Sequence, residues 1–338
     1  DSCSYIFNFL KKKGLIMTFL CQAHSANLNV DYRGFWWSRK LNGFAMLWDG
    51  GISTGKPIGA IPWGKPRARE SEQCICTGLW TSDRHIIFAP KWWYASFPKF
   101  VPLQGECWYN DDKFYSSVCN STFSKSSLDF RWKYLKFIVY NYKPYITFEK
   151  LNLDGLPFDD YTENIPFNDR YDKIYYYKFY NNNNIEIADQ NLIGSTTSLS
   201  TILKECTRGD GSNWEGLMIA DPHKIYQVGR SYNLLKLKPE YDIEVKVVGY
   251  LEGKRRLQGK MGSLKVQLIW DNKVLSFHGG KQCHVDRTVE FFVGGGFLDE
   301  QRDWKYVEEV WPLGKVIKIL FNEVGENGAI PSSRITYL

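Results

Sequence analysis

Leu234-Leu235-Lys236-Leu237-Lys238-Pro239, followed after two residues by Asp242-Ile243-Glu244-Val245-Lys246-Val247-Val248-Gly249-Tyr250-Leu251, is where the chain changes character. The second stretch alternates polar and apolar side chains, the pattern of a half-buried strand. Downstream come GSLKVQLIW (262–270), VLSFHGG (274–280), VEFFVGGG (289–296) and KVIKILFNEV (315–324), separated by Gly, Asn and Asp. Five short strands within about 100 residues, with turn signals between them, predict a small antiparallel barrel. The boundary falls within 238–242, which divides the chain into 1–240 and 241–338. No repeat of fixed period is present.

Upstream, LNGFAMLWDGG (41–51) reads as a strand closed by a glycine turn, and LKFIVYNY (135–142) as a buried strand. Residues 171–191 are rich in Tyr and Asn; the four asparagines at 181–184 signal a loop, and IEIADQNL (185–192) is expected to lead a helix. Lys11-Lys12-Lys13 before GLIMTFLCQA looks like the start of a signal peptide, but the apolar part is short.

The 338 residues fit about two domains. They are 43% hydrophobic and 24% charged, which excludes a wholly disordered or fibrous chain. No apolar run reaches the ~18–20 residues of a membrane span, so no membrane partner is expected. The formal charge of +6 is compatible with an anionic partner such as nucleic acid. The eight cysteines are scattered, with one C-x-C and no C-x-x-C; this is not the paired spacing of a zinc site, and it fits free thiols in a reducing compartment.

Gly50 to Lys56 matches G-x-x-x-x-G-K, but Pro57 stands where a P-loop needs Ser or Thr and a helix start. A stronger signal is an ordered set of short elements: Lys40-Leu41-Asn42-Gly43, Leu103-Gln104-Gly105-Glu106, Phe137-Ile138-Val139-Tyr140-Asn141, Glu215-Gly216-Leu217-Met218 and Leu234 to Pro239. In this order, and ending at a small barrel, they resemble the covalent nucleotidyltransferase superfamily of DNA ligases, RNA ligases and mRNA capping enzymes. Within it, GFWWSRKLNGFAMLWDGG, TGLWTSDRHIIFAPKWW, PLQGECWYND, WEGLMIADPHKIYQVGRSYNLLKLKP and LEGKRRLQGKMGSLKV are similar to small ATP-dependent DNA ligases of bacterial Lig E and phage type. The resemblance runs from about residue 19 to the end and is thin across 145–205. It places FLCQAHSAN inside the folded domain. It implies an α+β fold: a nucleotidyltransferase (adenylation) domain of antiparallel sheets and helices, followed by an all-β OB-fold barrel. Few residues precede the first motif, so no extra DNA-binding domain is expected ahead of it and encirclement of DNA should be limited.

The resemblance implies ATP and Mg²⁺ as cofactors, nicked duplex DNA as partner, and a monomer in the cytoplasm, with the periplasm as the other location weighed. It connects the chain with DNA repair, replication and recombination. Lys40 would be the nucleophile that forms a phosphoramidate with AMP, splitting one hard step into two. A free lysine has a pKa near 10.4, and cations nearby make its neutral form easier to reach. Lys236, Lys238 and Mg²⁺ are those cations, and the two lysines alternate so that both face one side of a strand. They would also neutralise the triphosphate. Glu106 and Glu215 offer hard oxygens to the metal or the ribose. Tyr140 offers a face to adenine, and Arg230 a phosphate contact. Lys254, Arg255, Arg256 and Lys260, in a turn of the barrel, are the expected grip on the DNA backbone.

The chain departs from the family at several positions. Asn42 stands for the Asp, and Ala45 for the Arg, of K-x-D-G-x-R; Ser82 stands for an Arg, with Arg84 two residues on; Gln104 and Asn141 stand for aspartates. These changes remove charge while the lysines and both glutamates remain. The leading expectation is an ATP-dependent DNA ligase that seals 5′-phosphate/3′-hydroxyl nicks through lysyl-AMP. The alternatives are an RNA ligase of the same superfamily, and a catalytically weakened relative that only binds nucleic acid. EGLM and GGGFLDEQR disfavour a capping enzyme.

Overall fold

The computed structural model describes residues 20–68, 70–109, 130–148, 163–176, 183–206, 214–269, 273–276, 282–285, 288–322, 324, 330 and 333–336. Lys11-Lys12-Lys13 lie outside the described residues, as do Asn181 and Asn182. The chain divides into two compact units, Asp1–Cys206 with Gly211–Leu237, and Thr207–Asp210 with Lys238–Leu338.

The described strands of the first unit are, in chain order, β1 (Cys21–Ser25), β2 (Trp36–Leu41), β3 (Phe44–Asp49), β4 (Leu79–Thr81), β5 (Pro102–Trp108), β6 (Lys136–Tyr142), β7 (Ile185–Ile187), β8 (Asn191–Leu192), β9 (Trp214–Ala220) and β10 (Gly229–Leu237). They form two five-stranded sheets, ordered β1-β10-β9-β2-β8 and β4-β3-β5-β6-β7. β2 and β3 are consecutive in sequence yet lie in different sheets, so the chain crosses between sheets through Asn42-Gly43. FLCQAHSAN is part of the fold: Leu20 is buried and β1 pairs in parallel with β10.

The second sheet is buried along most of β3, β5 and β6, on successive residues, as in strands covered on both faces. Met46, Leu47, Leu79, Trp80, Trp93, Leu103, Trp132, Phe137 and Val139 are fully buried in one core. Each such side chain contributes roughly 1.5–3 kcal/mol relative to an exposed one. The helix Phe167–Tyr176 buries Phe167, Arg170 and Ile174, the spacing of one helical face, and contacts β6. A second helix, Leu199–Cys206, contacts β9.

The expectation of a helix from residue 185 is corrected. The helical part of this region is Phe167–Tyr176, and Ile185–Ile187 is a short strand parallel to β6, with Ile185 buried in the core. A three-residue strand recruited by an existing sheet edge carries no periodicity of its own to read. The P-loop look-alike is a run of turns: Gly50, Gly51 and Gly55 have φ of 77°, 79° and 80°, and Pro57 opens a 3₁₀ turn at Ile58–Ala60.

Asp49 closes β3 with its carboxylate buried, accepting hydrogen bonds from Ser53 Oγ and, at 2.9 Å, Trp80 Nε1. Burial pushes its carboxyl up from 3.8 to about 6, and hydrogen bonds from the Ser53 and Trp80 side chains and the Gly51 and Ser53 backbone oppose that rise. The native state therefore holds a proton that the unfolded chain has lost across that window. Its contribution to stability is complete below about 3.8 and lost as pH rises through about 6. Asp49→Asn cannot ionise, so the variant is expected to gain on the parent by ~1–3 kcal/mol between about pH 4 and pH 7. Denaturant unfolding at the two pH values measures this; an unchanged difference between parent and variant contradicts it.

The second unit contains β11 (Tyr241–Glu252), β12 (Met261–Leu268), β13 (Lys273–Ser276), β14 (Gln282–Val285), β15 (Glu290–Val293), β16 (Val316–Phe321) and β17 (Arg334–Ile335). Five of them form a sheet ordered β15-β12-β11-β16-β17, and a parallel bridge from Gly295 to Arg334 joins its two edges. Alternate residues of β11, β12 and β16 point into one apolar core, among them Val245, Val247, Leu264, Val266, Ile317 and Ile319. The stretch at 274–280 is corrected as a barrel strand: its described part, β13, pairs only with β14, and β17 takes the remaining place in the sheet. Arg302, buried, donates to three strand-end carbonyls, Met261 at 3.2 Å, Gly262 at 2.8 Å and Gly294 at 2.9 Å. A hydrogen bond from a charged donor is worth roughly 1.5–3 kcal/mol, and these three tie the ends of β12 and β15 to one side chain.

Candidate active site

A cavity of about 300 Å³ lies between the two sheets of the first unit. Its wall takes Lys40 from β2, Glu106 from β5, Tyr140 from β6, and Arg230 and Lys236 from β10. The five short motifs thus meet because two sheets face one another and each contributes strand ends to the gap. Lys40 is the penultimate residue of β2, opposite Gly216 on β9, and its Nζ donates a hydrogen bond to Glu215 Oε1. Both partners of this ion pair are largely buried, with side chains 20% and 24% exposed. The pairing steps from Lys40 opposite Gly216 to Leu41 opposite Trp214, so Glu215 is the extra residue of a β-bulge beside Lys40.

Glu106 faces the same cavity and accepts a hydrogen bond from the Gly43 backbone N–H. Burial pushes its carboxyl up to about 8; Lys40 opposes that rise and the Glu215 charge adds to it. The approach at Gly43 is close. A Cβ there would lie 2.3 Å from Glu106 Cγ and 2.7 Å from the Cys107 carbonyl oxygen, so no side chain fits. Glu106 on the cavity wall and Glu215 bonded to Lys40 offer hard oxygens of the kind Mg²⁺ takes, one or two carboxylates with phosphate oxygens and water filling its shell. Among the described residues no group of three or more His, Cys, Asp or Glu side chains is arranged to hold a metal ion.

Tyr140 lines the cavity, and its hydroxyl accepts from Gln104 Nε2 at 3.1 Å. Burial pushes its phenol well up, keeping the ring neutral. Gln104, read from the sequence only as a lost charge, has a definite place. Its Nε2 donates to the Cys21 carbonyl at 3.0 Å, and its Oε1 accepts from the Cys21 N–H at 3.3 Å and from Tyr226 Oη. One side-chain amide thereby pairs with a peptide group of β1, clasping the two sheets together beside the cavity. Aspartate lacks the donor for half of this contact. Asn141 is explained similarly: its Oδ1 accepts from Arg170 Nε at 2.8 Å, within a buried network.

Ala45 pairs with Glu106 across β3 and β5 and lines the cavity as a plain methyl, with no cation in the arginine's place. Ser82 lies in the turn after β4 and does not line the cavity, and neither does Arg84, whose φ is 71°. Lys238 follows the end of β10 and belongs to the second unit, so the strand alternation that pairs it with Lys236 stops one residue short. Lys254, Arg255, Arg256 and Lys260 occupy the connection from β11 to β12, as expected for a turn. Two of them have acidic neighbours, Arg256 with Asp299 and Lys260 with Asp303 at 2.9 Å. The sequence reading missed Gln22 and Ala23 of β1 and Gln190 after β7, which complete the wall. For Gln22 and Ala23 the only signal was the resemblance that put FLCQAHSAN in the folded domain; Gln190 lies where the resemblance is thin and had none.

No protein-family model matches the chain, and no curated protein matches it. Solved structures do. One, from a study of DNA binding with a minimal scaffold in Lig E DNA ligases, aligns over 94% of this chain and 97% of its own, with a TM-score of 0.62 and 23% identity. Another, Pmar-Lig_PreS3, aligns over 98% of this chain and 70% of its own, with a TM-score of 0.64 and 17% identity. No described helix is long and apolar enough to cross a membrane. The resemblance carried by the motifs is thus matched in three dimensions: this chain has the fold of the Lig E DNA ligases.

Proposed function

We propose that the protein is an ATP-dependent DNA ligase that joins 5′-phosphate and 3′-hydroxyl ends at nicks through a lysyl-AMP intermediate, acting as a cytoplasmic monomer. The observation that carries this reading is the convergence of Lys40, Glu106, Tyr140 and Lys236 on one cavity, with Glu215 bonded to Lys40. The unprotonated Lys40 amine attacks the α-phosphorus of ATP. A P–N bond forms, the bond to pyrophosphate breaks, and the amine's proton leaves to solvent. AMP then passes to the 5′-phosphate, and the 3′-hydroxyl displaces it as the strand closes. Glu215 holds the Lys40 side chain at the cavity. Lys236 and Arg230 offset phosphate charge, and the Tyr140 ring gives adenine a stacking face. Glu106 and Glu215 would hold Mg²⁺, which supplies charge neutralisation at the phosphates. We read the second unit as an OB-fold whose Lys254, Arg255, Arg256 and Lys260 contact backbone phosphates; ion pairs at the last two temper that grip. Lys238 joins the triphosphate contacts in this reading.

The test is incubation with α-labelled ATP and Mg²⁺ followed by a denaturing gel, then nicked DNA. Covalent label and sealed DNA are expected, with GTP inert. Sealing of nicked RNA alone would move the assignment to an RNA ligase. A second reading, a relative that binds nucleic acid without joining it, is favoured by Ala45, where the cavity wall lacks its cation. Salt-dependent DNA binding without covalent label would select it.

A further inference from the structure

We infer that the stacked rings of His24 and Tyr232 form a platform for one nucleobase flanking a strand break. This rests on the ligase reading for its partner, and adds to it a nucleic-acid contact outside the nucleotide cavity. The two rings are parallel, with centroids 4.1 Å apart and planes 3° from each other. Tyr232 is 74% exposed, which is unusual for so large a ring held in a fixed orientation. The cause is local. Ala23 pairs with Ser231, but the next residue, His24, pairs with Leu235, so β10 bulges relative to β1 at Tyr232 and Asn233, while Leu234 stays paired with Ala220 of β9. Bulges beside functional sites re-aim side chains, and this one turns Tyr232 outward against His24.

The position points to nucleic acid. β1 and β10 both contribute to the cavity wall: Gln22 and Ala23 precede His24, Arg230 precedes Tyr232 by two residues, and Leu234 and Lys236 follow it. Arg230 is exposed at that wall, where a cation positions a phosphate. An aromatic face beside a backbone-binding cation is the arrangement that receives single bases irrespective of sequence. At a break the flanking base is tethered by backbone on one side only, so moving it onto the platform costs less than from a continuous strand.

The experiment uses the full chain and a nicked duplex carrying 2-aminopurine beside the break. Tyr232→Ala is expected to weaken binding of the nicked duplex about tenfold and to abolish the fluorescence change at the probe. Tyr232→Trp is expected to restore both, because only a flat face is needed. Covalent AMP labelling, which needs no nucleic acid, should be retained in both variants and doubles as the check on folding. Unchanged binding in Tyr232→Ala overturns the inference, as does equal loss in Tyr232→Trp. Absence of AMP labelling in the parent chain would instead refute the ligase reading, while the binding and fluorescence arms still decide the platform.

Discussion

Lys40→Ala and Lys40→Arg are both expected to abolish covalent capture of AMP, with at least a ~10³-fold loss of labelling rate, because the variants have no amine to form the P–N bond. The arginine variant is the more informative. It keeps a cation opposite Glu215, so the ion pair that closes β2 against β9 can re-form, while the guanidinium stays protonated and cannot attack. Loss of label with an unchanged melting temperature would then separate chemistry from folding. The other amine on the cavity wall, Lys236, lies on β10 beyond β9 and is not expected to substitute. The measurement is the labelling rate on a denaturing gel; residual label on Lys40→Arg would assign the nucleophile elsewhere.

Gly43→Ala is expected to be nearly as damaging, for a different reason. The added Cβ would meet the Cys107 carbonyl at 2.7 Å, and that oxygen belongs to β5 backbone paired with β3 through Phe44 and Cys107. Backbone in a sheet cannot step aside cheaply, so a stability loss of about 1–3 kcal/mol follows from the overpacking. The same Cβ would displace Glu106, whose Cγ lies 2.3 Å from it. Misplacing a group by about 1 Å at a reacting centre costs on the order of 10²-fold, and a similar fall in AMP labelling is expected. Gly249→Ala is the control: its Cβ would meet only the Lys265 side chain, at 3.5 Å. Melting curves and labelling rates on both variants test the contrast, and equal tolerance of the two substitutions would contradict it.

The parts of the site legible in the sequence were those where chemistry constrains residue type. Lys40, Glu106, Glu215 and Lys236 were picked out by the order of their short motifs, and the structure brings them to one cavity or onto its wall residues. In the second unit β11, β12 and β16 were legible through period-2 alternation, since one face of each is buried. β13 was misplaced because a hairpin strand and a sheet strand share the same local pattern; what differs is the partner, and that is non-local. β7 was missed since its three residues are defined by the edge of β6. Gln104 was seen only as a charge lost, because a side-chain amide pairing with the peptide of a residue 83 positions away has no local signature.

The crossing at Asn42-Gly43 puts Lys40 on one layer and Glu106 on the other. Sliding one layer over its neighbour by about an ångström would therefore part Lys40 from Glu106 while leaving every strand pairing intact. In such a protein, turnover would be expected to fade on warming before circular dichroism registers any melting, and the bonds from Gln104 to Cys21 would set the temperature at which that gap opens.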